Sequence, residues 1–163
     1  MTIDFFEEDC QQDPINIALF GLCDDEDGSK AYASTTNPAS WIATVKNMKQ
    51  LNVVFTAVDK CVIKDGQLKG VARCDGILHS SEHLYFVELK DQQANWLSGA
   101  LAQLESTVTL FAENHNLNDF KFKKAFACNK QHGRFKMIDN EQNLKFFRKY
   151  GVRLDSQTDI IIL

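Results

Sequence analysis

Asp75, Glu88 and Lys90 are the residues whose types and spacing could do chemistry. They lie on two apolar runs joined by a polar turn around Ser80 to His83, the pattern of a β-hairpin. On the second run, period two puts Tyr85, Val87 and Leu89 on one face. Leu84, Phe86, Glu88 and Lys90 fall on the other. A turn centred on Ser81-Glu82 pairs Ser80 with His83, and antiparallel counting then sets Asp75 opposite Glu88. Opposed residues have Cβ atoms about 5 Å apart, where like charges destabilise a sheet. A divalent cation bridging the carboxylates would cancel that repulsion, because hard cations take oxygen ligands. Alternatively, Lys90 neutralises both acids at a solvated sheet end. The hairpin by itself leaves both accounts open.

Asp75 followed thirteen residues later by Glu88-Leu89-Lys90 resembles the D…(D/E)xK signature of the PD-(D/E)XK nuclease-like superfamily. That group includes restriction enzymes, Holliday-junction resolvases and RecB-type nucleases. The resemblance covers roughly Asn52 to Asn129. It implies a metal-dependent nuclease acting on DNA phosphodiesters. Asp75, Glu88 and the backbone carbonyl of Leu89 would then hold Mg²⁺ or Mn²⁺, and Lys90 would orient the attacking water or stabilise charge on the phosphate. The resemblance to RecB-like members also implies a role for Gln103, which matches the Gln of their QxxxY run; Thr107 stands where the Tyr would be. In many members a helix before the sheet supplies a further acid. Trp41 to Gln50 contains none, which leaves Asp59 or Glu26 as substitutes. The scaffold also admits a degenerate site serving as a protein-binding or regulatory module, and a nucleic-acid binder without catalysis.

The elements that must position these residues read as one α/β domain over residues 1–163, with an acidic arm at 1–28 and a nuclease-like core at 41–154. The expected fold is restriction-endonuclease-like: a mixed central sheet flanked by helices, built from a three-strand antiparallel meander and a parallel strand after a crossover helix. Asn52 to Ile63 reads as the first meander strand, and Asp65-Gly66 as a hairpin turn leading into Gln67 to Leu78. Asp91 caps an expected helix from Gln92 to Glu113, with Leu97, Leu101, Leu104, Val108 and Phe111 on one stripe. Phe120 to Cys128 is the fourth strand, and the crossover makes its pairing parallel. Asn140 to Tyr150 is a second helix ended by Gly151, and Val152 to Leu154 and Asp159 to Leu163 are short edge pieces. Upstream, Ser40 caps an expected helix from Trp41 to Gln50. Ile15 to Cys23 reads equally as strand or helix. Met1 to Asp13 reads as mobile or loosely docked, with Phe5 and Phe6 as anchors.

Charge is divided along the chain. Net charge is −4, yet residues 1–28 carry nine acids and no Lys or Arg, whereas residues 120–153 carry ten Lys or Arg against two acids. Lys121, Lys123, Lys124, Lys130, Arg134 and Lys136 would contact DNA backbone, or else form a solvated face. A homodimer would suit endonuclease work, and a degenerate site would call for a protein partner. No apolar run approaches the roughly 20 residues of a membrane helix. The absence of a basic n-region argues against a secretory signal, and five cysteines, an odd number, argue for reduced thiols in a cytoplasm. Asp24 to Gly28 lacks the spacing of an EF-hand calcium loop. No zinc, P-loop or GxSxG pattern is present. Cys128 and His132 lack the geometry to argue for a thiol–base pair.

Overall fold

A computed structural model describes residues 2–132 and 138–163, so Arg134 and Lys136 lie outside the described residues. Within them the chain forms two mixed sheets and two helices, an α/β fold. The larger sheet has β4 (Val54–Ala57), β5 (Gly76–His79), β6 (His83–Lys90), β7 (Phe122–Asn129) and β8 (Arg153–Ser156), in that order. β4, β5 and β6 are an antiparallel meander. α1 (Leu97–Asn114) crosses over to β7, which lies parallel to β6, and α2 (Asn140–Tyr150) crosses over to β8, parallel to β7. The smaller sheet has the order β2 (Tyr32–Ser34), β1 (Leu19–Cys23), β3 (Ala43–Lys46), β9 (Asp159–Ile161).

β6 is central to the larger sheet, and burial on both of its faces explains its nearly continuous apolar run. On one face Leu84 and Phe86 pack under α1 in a core with Leu104, Val108 and Phe111, which Phe146 of α2 also joins. On the other, Tyr85, Val87 and Leu89 meet Phe20 and Leu22 of β1, Val45 of β3 and Ile160 of β9. The layers are therefore helices, sheet, sheet. The helices flank one face of the larger sheet, and the second sheet covers the other. Among the described residues no helix is long and apolar enough to cross a membrane.

Other expectations are corrected by the packing. Trp41 to Gln50 is not a helix: a 3-10 turn at Pro38–Ser40 leads into β3. Ala43 and Val45 alternate inward with period two, and the Asn47 side chain bonds both backbone groups of Leu51, which closes a turn where the helix would have continued. The meander strands are shorter than expected. Asp65-Gly66 does form a turn, but inside a long excursion over residues 58–75 rather than a tight hairpin. α1 begins at Leu97, and Asp91 does not cap it; its carboxylate instead accepts from Gln131 Nε2 at 2.8 Å. α2 runs as expected, with Asp139 accepting from Gln142 N–H and Gly151 ending it at a φ of 70°.

The N-terminal stretch is docked. Ile3 and Phe5 are buried, Ile3 N–H donates to Asn114 Oδ1 at 2.9 Å, and Phe5 N–H donates to His115 Nε2 at 3.0 Å. Cys10 is joined to Cys61 by a disulfide across a sequence separation of 51. The reading of all five cysteines as reduced thiols is corrected here, because the fold brings two distant cysteines together. An odd count constrains only the last of them.

Gly76 opens β5 where there is no room for a side chain. A Cβ there would run into the Phe55 ring and stand 2.9 Å from the Thr56 carbonyl oxygen. Gly76→Ala is expected to lower unfolding stability by about 1–3 kcal/mol, read from the urea midpoint. An unchanged midpoint would mean that Phe55 moves aside freely.

Candidate metal centre

The turn after β5 sets the register on which the site depends. Ser80 N–H donates to the His83 carbonyl at 3.0 Å, and Ser80 Oγ accepts from the N–H groups of Glu82 and His83. Pairing then runs His79 with Leu84 to Gly76 with Val87, which carries Asp75 to the position facing Glu88. Asp75 N–H is shared between the Val87 carbonyl and Glu88 Oε1, each at 3.1 Å. Leu89 N–H donates to Asp75 Oδ2 at 2.8 Å. Each carboxylate is thus held by the backbone beside the other.

The pair is not solvated. Asp75 is 9% exposed and Glu88 2%. Lys90 Nζ stands 3.1 Å from Glu88 Oε2 and is itself largely covered. Burial, reinforced by the charge of Asp75, pushes Glu88 well above the ordinary carboxylate range against the pull of Lys90. Burial likewise pushes Asp75 up to about 6, against the downward pull of the Leu89 N–H. One lysine therefore does not neutralise this pair. The account in which Lys90 simply balances two acids at a wet sheet end does not describe this environment.

Several elements fix Asp75 from behind. Val58 N–H donates to its carbonyl at 2.9 Å. One helical turn of α1 grips the two residues before it: Gln103 Nε2 donates to the Arg73 carbonyl at 3.2 Å, and Thr107 Oγ1 accepts from Cys74 N–H at 2.7 Å. Thr107 Oγ1 in turn donates to the Gln103 carbonyl at 2.8 Å. Gln103 therefore lies next to the site but acts on backbone. Beyond Lys90, the buried Asn129 side chain bonds both backbone groups of Gln92, and Lys130 N–H donates to the Lys90 carbonyl at 2.9 Å. In the sequence Thr107 is singled out only as the residue standing where the Tyr would be, and Asn129 is not singled out at all. The available signal was a polar side chain set within an otherwise apolar stripe or strand end.

The expected basic contacts are split. Lys130 follows β7 beside Lys90, although its ammonium is engaged with the Ala39 carbonyl at 2.7 Å. Lys123 pairs in register with Leu84 and Lys124 with Tyr85, whereas Glu88 pairs with Ala127. Four and three residues of strand separate Lys123 and Lys124 from the level of Glu88, about 13 and 10 Å at about 3.3 Å per residue. Lys121, Lys123 and Lys124 thus gather at the far end of the sheet, where Lys124 pairs with Asp155 at 3.8 Å. Of the substitute acids, Asp59 is paired with Arg73 at 3.0 Å and its charge reaches Asp75. Asp24 also reaches Asp75, whereas Glu26 lies exposed in the acidic turn.

Asp75 and Glu88 are the residues that could hold a hard cation. Mg²⁺ keeps several waters and binds through one or two carboxylates, which is what two buried facing carboxyls offer. Among the described residues no group of three or more His, Cys, Asp or Glu side chains is placed to hold a metal. No family model matches the chain, no curated protein matches its sequence, and no solved structure matches its fold.

Because its folded-state pKa is raised, Asp75 favours the fold while protonated. That contribution is present below the ordinary value of 3.8 and is lost as pH rises through about 6. Wild type should lose on the order of 3 kcal/mol relative to Asp75→Asn between pH 4 and 7, measured by urea unfolding. Parallel pH profiles for the two proteins would contradict the burial of an ionisable pair.

Proposed function

We propose that the protein is a metal-dependent hydrolase of DNA phosphodiester bonds, with its centre at Asp75, Glu88 and Lys90. The observation that carries this reading is the buried facing of Asp75 and Glu88, with Lys90 one strand period beyond. The site lies at the carboxyl end of β6, next to a parallel neighbour, where open α/β sheets bind ligands. A bound Mg²⁺ or Mn²⁺ would polarise the scissile phosphate and lower the pKa of a coordinated water. The chain's own residues supply the rest. Asp75 and Glu88 present oxygen donors fixed by backbone N–H groups, and the Leu89 carbonyl adds a third oxygen in this reading. Lys90 supplies a cation for the charge that develops on the phosphate oxygens. Glu88 is the ion-pair partner of Lys90 before substrate arrives.

A specific observation favours a second reading, a nucleic-acid binder without catalysis. Lys90 is already paired with Glu88, and the lysines at the start of β7 lie at the opposite end of the sheet from it. Polyanion binding there would be salt-sensitive and independent of metal.

Cleavage of single-stranded, duplex, flap and junction DNA with Mg²⁺, Mn²⁺ or chelator separates the two. The nuclease reading predicts metal-dependent cutting that falls by about 10²–10³ in Glu88→Gln and in Lys90→Ala, with folding retained. Folded wild type that binds DNA but cuts none of these substrates would establish the second reading.

A further inference from the structure

The five cysteines fall into two groups. Cys23, Cys74 and Cys128 are fully buried, and burial pushes the thiols of all three up. Thiols of that kind are unreactive. Cys10 and Cys61 are instead bonded to each other, and both line an open cleft of about 390 Å³. Cys61 is the half-buried member, and Cys10 is 6% exposed. Lys30 Nζ stands 3.9 Å from Cys61 Sγ. A cation beside one sulfur of a disulfide lowers the cost of negative charge on that sulfur, which governs both thiolate attack and thiolate departure.

The bond also closes a loop that reaches Asp75. Cys61 lies in the segment after β4, where Cys61 N–H and Ile63 N–H both donate to the Val58 carbonyl. Val58 N–H is the donor to the Asp75 carbonyl. On the other side, Cys10 precedes Gln11 and Gln12, which pair with β4 through the Gln11–Thr56 bridge and the Gln12 N–H to Phe55 carbonyl bond. The disulfide therefore clamps the N-terminal segment to the turn that steadies Asp75 from behind.

We infer that Cys10–Cys61 is a thiol–disulfide exchange site, opened by a dithiol reductant, and that its opening loosens the Val58–Asp75 contact. A thiolate of the reductant attacks the accessible Cys61 Sγ, and the bond to Cys10 breaks. Cys10 leaves as a thiolate and takes up a proton. The second thiol of the reductant then attacks its own sulfur in the mixed disulfide and releases Cys61 as a thiolate beside Lys30. The Cys61 thiolate takes up the second proton, the reductant becomes a disulfide, and two electrons and two protons end on Cys10 and Cys61. Asp4, Glu7 and Asp9 outnumber Lys64 in the lining of the same cleft, so a neutral or cationic dithiol is favoured over an anionic monothiol. The inference stands on the cysteines and the cleft, independently of any metal at Asp75 and Glu88.

The test uses the full chain under native conditions. Air-oxidised protein should show no free thiol to a water-soluble thiol reagent, and three after denaturation. Dithiothreitol should expose two thiols in the native state, faster than glutathione at equal thiolate concentration. Lys30→Ala should slow that reduction roughly threefold to tenfold. Amide exchange at Val58 should accelerate in the reduced protein and in Cys61→Ser, whereas amides within β6 should be unchanged. Five thiols in the air-oxidised protein, or reduction only after unfolding, would overturn the inference. So would a Lys30→Ala rate equal to wild type, or Val58 exchange that ignores the redox state.

Discussion

Two carboxyl groups facing each other out of water are the constraint on which this structure turns. Asp75 and Glu88 would repel each other if both were charged, and neither has the solvent that would soften the repulsion. The backbone nevertheless holds them together, with Asp75 N–H on Glu88 Oε1 and Leu89 N–H on Asp75 Oδ2. A sheet end with no task would be more stable with an apolar pair there, since buried ionisable groups are poor sources of stability. A hard cation bound between the two carboxylates would remove that repulsion. That logic underlies the proposed function.

The surrounding architecture serves to hold the pair still. β6 is covered by α1 on one side and by the smaller sheet on the other, so its last residues cannot splay. Gln103 and Thr107 grip the two residues before Asp75, Val58 grips Asp75 itself, and Asn129 grips the chain beyond Lys90. A centre fixed by helix and strand residues is positioned more tightly than one carried on loops. Charge is arranged to match: acids converge on Asp75 from Asp59 and Asp24, while Lys121, Lys123 and Lys124 occupy the other end of the sheet.

Much of this was legible in the sequence where local chemistry decides the outcome. The turn at Ser80 to His83 fixes its own register through the Ser80 hydroxyl, so counting outward placed Asp75 against Glu88. α2 carries its boundaries in Asp139 and Gly151, and the apolar residues 125–128 signal β7, whose ends lie one or two residues from the expected ones. The smaller sheet was hidden because its strands are three to five residues long and pair across distant parts of the chain, as β3 does with β9. Trp41 to Gln50 has helix-like composition, but tertiary pairing with β1 overrides it. The Cys10–Cys61 bond depends on long-range proximity that spacing does not encode. Lys121 to Lys124 lie within about forty residues of Lys90 in sequence yet at the wrong end of a parallel neighbour, a fact only register reveals.

The central claim is that Asp75 and Glu88 are held together for a hard divalent cation. Calorimetric titration of Mn²⁺ into the protein at pH 8, where carboxyl protons compete least, tests it most directly. The account predicts one saturable site in wild type that disappears in Glu88→Gln while the fold persists. Wild type that takes up no Mn²⁺, or a variant that binds it as well as wild type, would contradict the account.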